Sequence, residues 1–110
     1  MYQIYFKMVD YTITELDISV RNLTHLPDDI DKYTNLQDLK CCFNKITSLD
    51  NLPTNLQKLY CSKNQLTSLD NLPPNLKELY CKYNPLIYNF EPTLDNIRNY
   101  NTARKLSSNT

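Results

Sequence analysis

Three cysteines stand 20 residues apart, at Cys41, Cys61 and Cys81. A regular array of thiols could hold a soft metal ion or act in redox chemistry, because the thiolate is both ligand and nucleophile. Neither use suits their setting. The sequence has no C-x-x-C pair, and the single His25 falls in a different part of the pattern. Each of the three takes the inward place in an apolar alternation, where a small thiol packs as a hydrophobe. A disulfide between neighbours is disfavoured too, since side chains in register on parallel strands point the same way and seldom reach the required dihedral. Cys42 differs. Adjacent strand residues face opposite sides, so it is expected outside, as a free thiol. With no His or basic neighbour assured, it is not assigned as a nucleophile. His25 reads as a solvated or capping imidazole in a turn. Asn22-Leu23-Thr24 matches a glycosylation sequon, but with no signal sequence it is expected to stay unmodified. No catalytic residue, metal site or cofactor is expected.

The cysteines are one column of a longer pattern. Leu36-x-x-Leu39-x-Cys41-x-x-Asn44-x-Ile46-x-x-Leu49 returns as Leu56, Leu59, Cys61, Asn64, Leu66 and Leu69, then as Leu76, Leu79, Cys81, Asn84 and Leu86. A divergent first unit fits Ile13, Leu16, Ile18, Leu23 and Leu26, with Arg21 where Asn would stand. The spacings are 23, 20 and 20 residues. Four units in phase imply a solenoid, in which each unit buries its apolar face against its neighbours. Period-two alternation at Leu39-x-Cys41 and its equivalents predicts short strands with one buried face, stacked as a parallel sheet. The return leg, such as Asp50–Asn55, is too short and Pro-rich for a full helix, and is expected to be extended or a 3₁₀ turn. Leu52, Leu72 and Ile30 should close the core there.

These residues resemble the leucine-rich repeat family, whose pattern is L-x-x-L-x-L-x-x-N-x-L, over roughly residues 13–90. The short form with Leu-Pro-x-x-Leu before the strand is similar to repeats of bacterial type III effectors. The Asn-rich, Cys-bearing version is similar to repeat proteins of giant DNA viruses and protists. In the first unit, the Leu26–Asn35 connection is three residues longer, nearer the 23-residue class. The resemblance implies a curved α/β solenoid, mostly strand plus loop or 3₁₀, with a parallel sheet on its concave face and terminal caps. Asn44, Asn64 and Asn84 are expected to be structural, as in that family, their amides bonding the backbone of the next turn and lining up as a ladder. A ligand-binding amide row is the alternative. The sequence contains no glycine, so turns needing positive φ are expected to use Asn or Asp.

One domain is expected over 1–110. Residues 1–12 read as an N-terminal cap, with Tyr2, Ile4, Phe6 and Met8 alternating as in a strand. Residues 13–90 hold about four repeats. Residues 91–106 read as a C-terminal cap, helical by the spacing of Leu94, Ile97, Tyr100 and Leu106, with Pro92 near its start. Residues 107–110 read as a frayed tail. A rival reading takes 91–106 as a decayed fifth repeat, because Leu94-Asp95-Asn96-Ile97 echoes Leu49-Asp50-Asn51-Leu52.

If Leu39 and Cys41 point inward, Asp38, Lys40 and Cys42 point outward, followed by Phe43. The same offsets give Glu15, Asp17, Ser19 and Val20 in the first unit. They give Lys58, Tyr60, Ser62 and Lys63 in the third, and Glu78, Tyr80, Lys82 and Tyr83 in the fourth. Stacking would set Tyr60 beside Tyr80, and Phe43, Lys63 and Tyr83 in one column. The expectation is one aromatic patch of Phe43, Tyr60, Tyr80 and Tyr83, ringed by Lys40, Lys58, Lys63 and Lys82. Exposed aromatics among charges have the composition of a protein-binding hot spot. Tyrosine also simply favours strands.

Charge supports that choice. The 12 basic and 12 acidic residues balance, which gives no long-range attraction to nucleic acid or an anionic membrane. No apolar run approaches the ~18 residues of a membrane span, and the start has no secretory pattern. The expected setting is therefore intracellular, in the cytoplasm, of a host cell if the chain is viral or an effector. The leading expectation is a non-catalytic module binding another protein through the concave face. The alternative is the substrate-recruiting part of a ubiquitin-ligase-like effector whose catalytic domain is absent. A nucleic-acid binder comes last.

Overall fold

The computed structural model describes residues 9–108. The expected alternation of Tyr2, Ile4, Phe6 and Met8 lies outside them. Four three-residue strands, β1 (Glu15–Asp17), β2 (Asp38–Lys40), β3 (Lys58–Tyr60) and β4 (Glu78–Tyr80), form one parallel sheet in chain order. Leu16, Leu39, Leu59 and Leu79 are register partners, at the 23-20-20 spacing of the repeats. Each strand is short because the chain must turn inward to return within 20 residues. Its ladder nevertheless runs on past the strand: the Cys41 N–H donates to the Tyr60 carbonyl and the Cys61 N–H to that of Tyr80, both at 2.8 Å.

The return legs turn at the same place in each unit. The N–H groups of Leu36, Leu56 and Leu76 donate to the carbonyls of Tyr33, Pro53 and Pro73 at 3.1–3.2 Å. Among the described residues, only the first unit, with its three extra residues, contains a 3₁₀ turn, at Ile30–Lys32. Pro53 and Pro73 are buried, and neither has an N–H to leave unsatisfied. Ile30 is buried, and Leu52 and Leu72 pack partly buried against the core.

The core is one column of Leu36, Leu39, Cys41, Ile46 and their successors in the next repeat, all wholly buried. Leu79 departs from the expectation. It is only half-buried, because β4 has no following strand to cover it. The asparagines bind each repeat to the one before it, not to the next as expected. Asn84 Nδ2 donates to the carbonyls of Cys61 and Cys81, both at 3.0 Å, while its Oδ1 accepts from the N–H of Asn64 at 3.2 Å and of Leu66 at 3.0 Å. Asn44 bonds Ile18, Cys41, Arg21 and Leu23 in the same manner.

Positive φ falls elsewhere than expected. Among the described residues it occurs at Val20, Asn22, Phe43, Asn51, Lys63 and Tyr83. Asn22 and Asn51 fit the expectation, but the recurring position is the residue one place before Asn44, Asn64 and Asn84, and before Arg21. A left-handed residue with a Cβ costs about 1–2 kcal/mol. Cross-repeat bonds hold it there: the N–H groups of Val20, Phe43 and Lys63 donate to the carbonyls of Cys42, Ser62 and Lys82 at 2.9–3.1 Å.

Helix α1 (Leu94–Ser108) follows the last repeat. Thr93 Oγ1 accepts from the Asn96 N–H at 3.2 Å, an N-cap bond. Leu94-Asp95-Asn96-Ile97 is thus the first helical turn, unlike the irregular Leu49–Leu52 that it echoes, which bends at the left-handed Asn51. Ile97 is fully buried, Arg98 donates to the Pro73 carbonyl at 2.8 Å, and Asn101 donates to that of Leu69 at 2.8 Å. Leu106, expected on the packed side, is exposed, and Ser107 and Ser108 extend the helix beyond 106 rather than starting a tail.

Two stability measurements check this architecture. Leu59→Ala should lose roughly 2–5 kcal/mol in denaturant melts, as for other buried large-to-small changes; less than half a kcal/mol would mean a wrong register. Val20→Gly should be neutral or stabilising by up to about 1 kcal/mol, because glycine relieves the left-handed strain while loosening the unfolded chain. The thiols supply a third check. Burial pushes the Cys41 thiol up to about 12 and the Cys61 and Cys81 thiols up as well, whereas Cys42 is half-exposed. Cys42 should label in the native protein and the other three only on unfolding; rapid labelling of all four would contradict the packing.

Candidate functional site

The outward strand residues stand in columns across the sheet. Asp38, Lys58 and Glu78 are register partners, continuing Glu15, and Lys40, Tyr60 and Tyr80 are partners, continuing Asp17. A third column holds Ser19, Cys42, Ser62 and Lys82, and the left-handed residues Val20, Phe43, Lys63 and Tyr83 make a fourth.

The second column carries the flat apolar surface. Tyr60 and Tyr80 stack with centroids 4.7 Å apart and planes within 7°. Parallel register sets such rings about 4.8 Å apart, so the sheet itself imposes the stack. Lys40 Nζ lies 5.6 Å from the Tyr60 centroid. In the fourth column Lys63 Nζ is shared between two rings, 4.5 Å from the Phe43 centroid and 5.2 Å from that of Tyr83. Phe43 and Tyr83 remain 53% and 75% exposed, because their left-handed backbone throws the side chains outward.

The first column fixes the charges. Lys58 Nζ meets Glu78 Oε2 at 3.3 Å, and the Tyr80 hydroxyl donates to Glu78 Oε1 at 3.0 Å. The hydrogen bond from Tyr80 holds the Glu78 carboxyl below its ordinary value, with the Lys58 bond next. The same contacts push the Lys58 ammonium and the Tyr80 hydroxyl up. Toward β1, Asp17 Oδ1 accepts from the Ser19 N–H, which lowers its pKa. The face therefore grades from acidic at β1 to aromatic and basic at β3 and β4.

All ten expected residues lie on this face, with Asp38, Lys58, Tyr60 and Glu78 half-buried and the rest exposed. The expected single patch is two clusters instead. Among the described residues no ring contact joins the Tyr60–Tyr80 pair to Phe43 or Tyr83; the Cys42-Ser62-Lys82 column runs between them, and Lys63 is the centre of a cluster rather than its rim. Two other features escaped the sequence reading. Tyr88, Phe90 and Tyr100 pack with centroids 4.9–5.5 Å apart, and the Tyr88 hydroxyl accepts from the Leu69 N–H at 2.7 Å. These rings lie outside the repeat period. A polar groove of about 670 Å³ runs past the strand starts, along Gln37, Asn55, Gln57, Lys77 and Arg98. Its signal was available in the recurrence of Asn35, Asn55 and Asn75.

Of the four cysteines, Cys42 alone lies on this face, as a half-exposed thiol. Cys41, Cys61 and Cys81 lie in the core, and among the described residues no group of three or more His, Cys, Asp or Glu side chains is arranged to hold a metal ion. His25 Nδ1–H donates to the Leu26 carbonyl at 2.8 Å, away from the sheet columns.

No match was found among curated proteins, and none among solved structures. Residues 54–99, which span β3, β4 and the first turns of α1, match the family model described as Leucine Rich repeats (2 copies), and this match supports a leucine-rich repeat family for the chain.

Proposed function

We propose that this chain is a non-catalytic module that binds another protein through the outward face of its sheet, the concave face if the solenoid curves as such repeats do. Leucine-rich repeats generally mediate protein–protein interaction. The observation that carries the reading here is the Tyr60–Tyr80 stack, an exposed apolar plate on a hydrogen-bonded backbone. Aromatics held in this way lose little freedom when a partner docks. The lysines around them suit a partner with acidic groups at its rim. The Phe43-Lys63-Tyr83 column adds a second support: three residues hold a costly left-handed backbone while presenting large side chains to solvent. In the same reading α1 caps the last repeat, and the setting is a reducing one inside a cell, where Cys42 stays a thiol. The face is small, so the interface is at or below the standard ~800 Å² per partner.

The test uses the partner captured on the immobilised chain and then purified. Tyr60→Ala/Tyr80→Ala should leave the melting transition nearly unchanged and weaken binding by about 2 kcal/mol or more. Unchanged affinity, with the loss appearing instead on Asp50→Asn at the opposite side, would move the site off the sheet and defeat the proposal.

A further inference from the structure

β4 ends the sheet with its outer edge open. It pairs with β3 alone. In the inner repeats the N–H groups of Cys61 and Lys63 reach the carbonyls of Tyr80 and Lys82 in the next unit. Their counterparts, Cys81 and Tyr83, have no next unit. The Cys61 carbonyl accepts from both Asn64 and Asn84, but the Cys81 carbonyl accepts from the Asn84 side chain alone. A groove of about 480 Å³ is lined by β4 and the Glu91–Leu94 segment, which touches the end of the strand where the Cys81 thiol donates to the Pro92 carbonyl at 3.6 Å, and Leu79 is half-exposed beside it. An open strand edge of this kind is a template for another strand.

The geometry points to a second copy of this chain as the occupant, its β4 paired antiparallel with this one about a two-fold axis through Tyr80. The residues themselves select that register. Leu79 and Cys81 present their backbone groups to the open edge, so only registers that set these residues opposite one another can bond. Centring on Tyr80 sets Leu79 against Cys81 of the second copy, and the two exchange both N–H···O bonds, using the spare capacity of the Cys81 carbonyl. It also sets Glu78 opposite Lys82, twice by symmetry, on the outward face. Centring on Leu79 sets Glu78 opposite Tyr80, and centring on Cys81 sets Lys82 opposite Tyr80, so both lose this pairing. The two Tyr80 rings meet across the axis as a non-hydrogen-bonded pair, continuing the Tyr60–Tyr80 stack into the second molecule. The half-exposed Leu79 gains the cover that Leu39 and Leu59 receive from their following strands. The contact is isologous and closes at two, so it leaves no β4 edge for a third copy.

Sedimentation equilibrium on the full chain over rising concentration tests this. A monomer–dimer equilibrium is expected. Lys82→Glu, which places two carboxylates opposite each other twice, should weaken the dimer by about tenfold or more. The swapped variant Glu78→Lys/Lys82→Glu should restore it, since it remakes both pairs with the signs exchanged. Melting curves of each variant establish that it is folded. In a Cys42→Ser background, Tyr80→Cys should cross-link on mild oxidation and Lys82→Cys should not. A chain that stays monomeric at every concentration would overturn the inference, as would a dimer indifferent to Lys82→Glu, a swap that fails to restore it, or cross-linking through Lys82→Cys in place of Tyr80→Cys.

Discussion

Everything in this fold depends on how the chain leaves each strand. After Cys41, Cys61 or Cys81 the backbone must turn inward, and the turn frees carbonyl and N–H groups close to the core. An unsatisfied buried polar group costs about 1–3 kcal/mol. One side chain meets the demand. Asn84 bonds two carbonyls and two N–H groups shared between its own repeat and the previous one. Asn44 bonds the same kinds of groups in its own unit and in the one before. A shorter or longer side chain cannot hold that geometry, and an apolar one leaves the groups bare. The amide thus sets the spacing between repeats as firmly as the leucine column does.

The left-handed residues follow from the same turn. The residue before each asparagine takes positive φ, in the turn that brings the amide back to the carbonyl three residues earlier. A glycine would do this without cost, but the chain contains none. Val20, Phe43, Lys63 and Tyr83 take the position instead, and it projects them away from the core. The strain and the display are therefore one feature: the conformation that satisfies the buried backbone is the one that throws a column of large side chains into solvent.

The register of the sheet was legible because Leu16, Leu39, Leu59 and Leu79 repeat at spacings that only stacked strands explain. The Tyr60–Tyr80 stack was legible for the same reason, since period fixes neighbours. What depends on backbone conformation inside the period was not. The backbone-bonding role of the Asn44, Asn64 and Asn84 amides was expected, but positive φ was expected at Asn or Asp, and the recurring strained residue is the one before each of these asparagines. That displacement carries Phe43 and Tyr83 away from the tyrosine stack and leaves two clusters in place of one. The Tyr88-Phe90-Tyr100 cluster lies beyond the last unit, where no period remains to place it. Leu79 shares its pattern with Leu39 and Leu59 and differs only in having no neighbour beyond, which a repeat pattern does not encode.

The ring faces decide where a partner can meet this surface. Lys63 lies between Phe43 and Tyr83, so each of these rings offers the cation one face. In the stack, Tyr60 has Lys40 over its ring and Tyr80 on the other side. Tyr80 has Tyr60 on one side and the end of the sheet on the other. Its free face is the largest flat apolar surface left uncovered in that column, and it lies on the β4 edge. The proposed partner binding and the proposed self-association would both draw on this ring. Anything that occupies it for one purpose withdraws it from the other, and by linkage each would weaken the other to the same degree. If both proposals hold, a chain with so small a core would gain a means of regulation from its unfinished edge: the dimer would store the binding face, and a partner that wins Tyr80 would release it.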